Sequence, residues 1–158
     1  MASAPITPRA VIAGVPIHAM IVPFPIVCFT GAMITDIVYS RTADIQWANF
    51  SAWLLAFGML MGSLAALFGM IDFFRSGPKP AIGWAHLVGN LAILSIALLN
   101  NFVHARDGWT SVVPTGLILS VVTVLMMIVT GFLGHLLVYR HVVSDVIVHR
   151  EPRGGDGL

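Results

Sequence analysis

The stretch PAIGWAHLVGNLAILSIALLNN, Pro80–Asn101, decides how this chain is read. It is mostly apolar and about twenty residues long, enough for one helix to cross a bilayer core of roughly 30 Å. It nevertheless contains a histidine and several amides. Steps of three and four residues collect Gly83, His86, Asn90, Ile93, Ala97, Asn100 and His104. Residues at those spacings share one helix face. Apart from Ser95 and Asn101, every polar side chain of the stretch lies on that stripe. The pattern predicts a membrane helix whose inner face meets other helices, with His86 as the group that most needs explaining.

Composition extends this reading to the whole chain. Of 158 residues, 58% are hydrophobic and only 9% charged, with a mean hydropathy of +0.92. Soluble domains carry about a quarter charged residues, so the surface of this protein is built for lipid or a very large partner. The length suits one compact bundle without a separate soluble domain. A net charge of +1 gives no reason to propose nucleic-acid binding. Cys28 stands alone, which leaves no internal disulfide and no cysteine metal cluster. The N-terminal MASAPITPRAVIAGVPIHAMIVPFPIVCF lacks a convincing small-residue cleavage site and reads as a retained first span.

Four apolar segments are expected, at residues 16–39, 48–74, 81–103 and 112–139, forming a single domain over 1–158. The connections Ser40–Trp47, Arg75–Pro80 and His104–Ser111 are short, so neighbouring helices must run antiparallel. The expected fold is all-α: an integral membrane four-helix bundle, up-down-up-down. Arg9, Arg75, Lys79, Arg140, Arg150 and Arg153 lie on one side and Arg41 and Arg106 on the other. The excess of positive residues places both termini in the cytoplasm, in a multi-pass protein of the bacterial inner membrane. Trp47, Trp84, Trp109 and Tyr139 fall near span ends, where amphipathic rings prefer to sit.

Two other helices repeat the stripe. Gly58, Gly62, Ala65, Gly69, Asp72 and Ser76 form the second-helix seam; Gly116, Ser120, Thr123, Met127, Thr130, Gly134, Leu137 and His141 form the fourth. Small residues let helices approach closely, and their missing side chains would also leave room for a flat cofactor. His135 lies one residue off its seam. In the first helix, Pro23 and Pro25 follow His18 and predict a kink. At about 1.5 Å of rise per residue, His18, Asp72, His86, His135 and His141 converge on the cytoplasmic leaflet. Asp36 and Tyr39 lie at the opposite, outer end of the first helix, and His104 reads as an interfacial residue there.

Ionisable groups within a membrane mark a site by default, and neutral histidine ligates haem iron or other metals. Two facing histidines among His18, His86 and His141 would sandwich a haem b, with His135 as a substitute ligand and Asp72 orienting an imidazole N–H. Asn90 lies one turn from His86 on the same stripe. Arg75, Lys79 and Arg140 would meet the propionates. The competing explanation is that each histidine only bonds a neighbouring helix.

HAMIVPFPI (His18–Ile26), Gly69-x-x-Asp72, His86-x-x-x-Asn90 and GFLGHLLVYRHVV (Gly131–Val143) resemble the predicted four-helix bacterial membrane proteins grouped as domain-of-unknown-function family 2231. The resemblance covers nearly the whole chain. It implies, by analogy with redox modules to which such domains are joined, a membrane electron-transfer role with b-type haem. By position, His18 matches the first histidine of the opening motif, His86 the third-helix histidine and His141 the closing one. Pro23 stands where relatives have a second opening histidine, Ala19 where they have proline, and His135 where they have glycine.

The leading expectation is a haem b electron-transfer subunit passing electrons between a quinone or partner protein and another carrier. One alternative is a non-catalytic structural subunit of a larger respiratory or photosynthetic membrane complex. Another is a metal site built from His18, Asp72 and His86, a two-histidine-one-carboxylate set. No nucleophile motif, phosphate loop or catalytic carboxylate pair points to a stand-alone enzyme. Four spans without an internal repeat suit a transporter only if the protein oligomerises.

Overall fold

Backbone polar groups have no water to bond in hydrocarbon, so each apolar run must close its own hydrogen bonds as a helix. The computed structural model describes residues 11–13, 15–75, 79–105 and 112–150, with 140–150 as backbone only. A two-residue ribbon pairs β1 (Val11–Ile12) with β2 (Val15–Pro16). It leads into α1 (Ile17–Ile21), α2 (Pro23–Thr42), α3 (Ile45–Arg75), α4 (Ala81–His104) and α5 (Leu117–Arg150). Four stretches are long and apolar enough to cross a membrane: Ile17–Thr42, Ile45–Arg75, Ala81–His104 and Val112–Tyr139. These match the four expected spans to within three residues at each end.

The prolines break the first span as expected. Pro23 and Pro25 have no N–H to offer the carbonyls of Ala19 and Ile21. The helix is interrupted at Val22, whose N–H still reaches His18 O at 3.0 Å, while Ile26 N–H to Val22 O is stretched to 3.5 Å. The break leaves His18 on the short α1 segment, which leans against α3.

The first connection is tighter than the expected Ser40–Trp47 loop. Helix α2 continues to Thr42, and α3 begins at Ile45. Ala43 closes α2 in the left-handed region (φ 55°), its N–H bonded to Tyr39 O at 2.8 Å. Asp44 Oδ1 then accepts the N–H of Gln46 at 3.0 Å, covering one of the unpaired donors that open α3. At the same end of the bundle, Val112–Gly116 is a wide turn with Val113 extended, and regular helix begins at Leu117.

Helix α2 packs on α3 and α5, and α4 packs on α3 and α5, closing a four-helix ring. Phe29, Ala32, Leu55, Ile93 and Ala97 form its central core. Phe29 fits because Gly58 has no side chain: a Cβ there would lie 2.7 Å from Phe29 Cε1. The outer faces are apolar, with Trp53 77% and Val27 68% exposed, as a lipid-facing surface requires.

The proximal end is where α1 begins and α3 approaches α4. The distal end carries the Ala43–Asp44 turn and the α4–α5 connection. Phe73, Phe74 and Trp84 pack edge-on at the proximal end, the Phe73 and Trp84 centroids 4.9 Å apart. Lys79 Nζ lies 5.7 Å from the Phe73 ring centre. Trp47 and Phe50 pair at the distal end. Such rings belong at the edges of a membrane.

Candidate functional site

At the proximal end, the α1 break and the α4 stripe bring two histidines inward. His18 Nδ1 lies 2.7 Å from Ala65 O of α3. His86 Nδ1 lies 2.9 Å from Thr130 O of α5. A carbonyl only accepts, so each Nδ1 carries the ring proton and each Nε2 keeps its lone pair. Asn90 Nδ2 points at His86 Nε2 from 3.3 Å while also donating to His86 O at 2.7 Å. Both histidines are half-buried.

Each ring rests on a glycine of the helix it bonds. A Cβ on Gly69 would lie 2.9 Å from His18 Nδ1, and one on Gly134 would lie 2.9 Å from His86 Cε1. The small-residue stripes were expected to leave room for a flat cofactor. In the structure these hollows hold side chains instead: Phe29 at Gly58, Leu94 at Gly62, His18 at Gly69 and His86 at Gly134. An open apolar groove of about 300 Å³ lies between α4 and α5, lined by Ala85, Gly89, Leu125, Met126, Val129, Thr130 and Leu133. Neither histidine lines it.

The expected five-member cluster is therefore smaller. His135 is exposed on the outer surface, its ring stacked on Tyr139 at 6.4 Å. One residue off the seam is a turn of about 100°, sufficient to move a side chain from the interior to lipid. Asp72 is half-buried on the inner stripe of α3, and Arg75 is exposed at its end. Among the described residues no group of three or more His, Cys, Asp or Glu comes together to hold a metal ion, so His18, Asp72 and His86 do not form the three-ligand site. The side chains of Arg140 and His141 lie outside the described residues.

The distal end holds the more completely buried polar site. Asp36 of α2 is fully buried, and the His104 side chain is 1% exposed. His104 Nε2 is 2.9 Å from Asp36 Oδ1, and its Nδ1 is 3.0 Å from Asn100 O. Ser120 of α5 donates to Asp36 Oδ2 at 2.6 Å and accepts from Asn100 Nδ2 at 2.8 Å. Asn100 Oδ1 is buried with no partner. Gly116 makes room for this ring too: a Cβ there would lie 2.8 Å from His104 Cε1. His104 is thus a buried partner of Asp36 rather than an interfacial residue. The warning lay in the sequence: Asp36 is an acidic residue inside an apolar span, and Asn100, His104, Gly116 and Ser120 all belong to the two stripes.

The profile of the DUF2231 family, described as predicted membrane proteins, matches residues 14–146, from the ribbon before α1 into the far part of α5. The chain belongs to this family. Both polar stations of this DUF2231 protein, His18 with His86 and Asp36 with His104, lie within the matched region. No curated protein and no solved structure matches the chain.

Proposed function

We propose that this DUF2231 protein is an integral membrane electron-transfer subunit that holds haem b through His18 and His86. The observation that carries the reading is the state of the two imidazoles. Each gives its Nδ1 proton to a backbone carbonyl of another helix, at 2.7 and 2.9 Å. That arrangement sets the tautomer and ring direction of a metal-ligating histidine and leaves Nε2 as the ligating atom. The donor set fits haem iron on chemistry. Asn90 would release His86 Nε2, since its amide keeps a shorter bond to His86 O. Arg75, exposed at the proximal end of α3, is available to a propionate. Bound there, haem would supply one-electron chemistry, with a quinone or a partner redox protein as exchange partner. The excess of positive residues in the flanks supports a location of this end at the cytoplasmic leaflet of a bacterial inner membrane.

The open groove between α4 and α5 favours a second reading, a structural subunit whose partner helix or lipid lies against Ala85 and Gly89. An absorption spectrum separates the two. Protein expressed with ample haem is expected to show a Soret band and a reduced α-band. Both should be lost in His18→Ala and His86→Ala and kept in His135→Ala. A wild-type protein without these bands overturns the haem reading.

A further inference from the structure

We infer that Asp36 and His104 share one proton, which makes the distal end of the bundle a proton-binding site independent of the haem reading. The argument rests on which atoms can donate. Asn100 O is a backbone carbonyl, which accepts only, so His104 Nδ1 at 3.0 Å must carry hydrogen. His104 Nε2 and Asp36 Oδ1 are 2.9 Å apart. Without hydrogen between them, two lone pairs would oppose each other at that distance. A second proton therefore lies on the line from Nε2 to Oδ1.

The other carboxylate oxygen is already committed. Ser120 Oγ donates to Asp36 Oδ2 at 2.6 Å, and its donor direction is set because its lone pair receives Asn100 Nδ2 at 2.8 Å. This use of the Asn100 amide explains its orphaned oxygen: Nδ2 is needed at Ser120, and Oδ1 is left without a partner. The shared proton is thus confined to the Nε2–Oδ1 line. Its transfer moves no other atom, and the electron pair it leaves stays on nitrogen or on oxygen.

On whichever atom the proton rests, the site is electrically neutral. It is either an imidazolium beside a carboxylate or an imidazole beside a carboxylic acid. Neutrality matters because a lone charge in a buried membrane site is strongly disfavoured. The nearby described groups offer no substitute counter-charge. Arg41 and Asp44 are exposed at the turn, and Tyr39 is buried with Ala48 and Val112. The face of α3 here presents Ala48 and Ser51, the Val112–Gly116 turn presents Gly116, and α5 presents Ser120. Among the described residues, loss of the proton would leave one negative charge without a counter-charge between α2, α4 and α5. The site is therefore a one-proton store, with His104, the last residue of α4, as the member nearest the membrane edge.

The test is nuclear magnetic resonance of the full chain in nanodiscs at neutral pH, with ¹⁵N-histidine and ¹³C-carboxyl aspartate and no added haem. Asp36→Asn and His104→Gln assign the signals. Ser120→Ala, which removes only a hydroxyl, serves as the assigning variant if either fails to fold. The expected result is one of the two neutral pairs, imidazolium with carboxylate or Nδ1–H imidazole with carboxylic acid. In Asp36→Asn, His104 should become a neutral imidazole protonated on Nδ1. An ionised Asp36 beside a neutral His104, or a His104 bare at Nδ1, overturns the inference. Because the signals come from the distal end of haem-free protein, neither outcome bears on the haem reading.

Discussion

At the proximal end, His18 and His86 each give one nitrogen to a backbone carbonyl, His86 Nε2 also meets the Asn90 amide of its own helix at 3.3 Å, and no carboxylate bonds either ring among the described contacts. At the distal end, His104 commits both nitrogens, one to a carbonyl and one to the buried Asp36. All three rings are seated on glycines, Gly69, Gly134 and Gly116. Helix packing is solved the same way at both ends; the hydrogen-bond valence is not. An imidazole whose Nε2 carries no proton can still take a ligand. A fully committed one is locked into its network, and its removal strands a carboxylate.

That difference predicts unequal consequences. His104→Ala leaves Asp36 buried without its partner and should lower stability by about 3–5 kcal/mol, the range for breaking a buried ion pair. His86→Ala loses one interhelical hydrogen bond, worth about 0.6 and at most about 1.7 kcal/mol in membranes. Reversible unfolding in detergent measures both, and equal losses would erase the distinction between the ends. The glycine seats give the next effect. Gly134→Ala pushes a Cβ to 2.9 Å from the His86 ring and should cost about 1–3 kcal/mol, as overpacking does. Gly131, one turn earlier on the same helix, has nothing within 4 Å of its would-be Cβ. Gly131→Ala should stabilise by up to about 1 kcal/mol through helix propensity. A matching loss at both positions in a thermal melt would show that the ring seat is not what Gly134 provides. The smallest effect belongs to His135→Gln on the lipid face, expected to stay within about 0.5 kcal/mol. A larger change in the same melt would return His135 to the interior.

The four spans were legible because membrane length and hydropathy act locally along the chain. The stripes were legible because a helix repeats its faces every three to four residues. Gly58, Gly62, Ala65, Ile93, Ala97 and Asn100 are all buried, as their spacing predicts. Depth along each helix was also readable, and it brought His18 and His86 to the same end. Rotation was less secure at a seam's edge, which is why His135 was expected inside and faces outward. The distal site was missed for a different reason. Asp36 and His104 are 68 residues apart, on α2 and α4, which are not neighbours in sequence order. Nothing local marks them as partners. The clue was energetic: an aspartate inside an apolar span needs a partner, and His104 ends the stripe that faces it.

By itself, then, the amino-acid sequence determined the membrane class, the number of spans, their antiparallel order and which stripe of α3, α4 and α5 turns inward. These follow from backbone hydrogen bonding in hydrocarbon and from helical periodicity. Only the tertiary structure decided what fills the glycine hollows, which histidines meet, and that the most deeply buried polar pair is Asp36 with His104. Those outcomes depend on the rotation and approach of helices distant in the chain, and on counting donors and acceptors once the side chains stand within about 3 Å of one another.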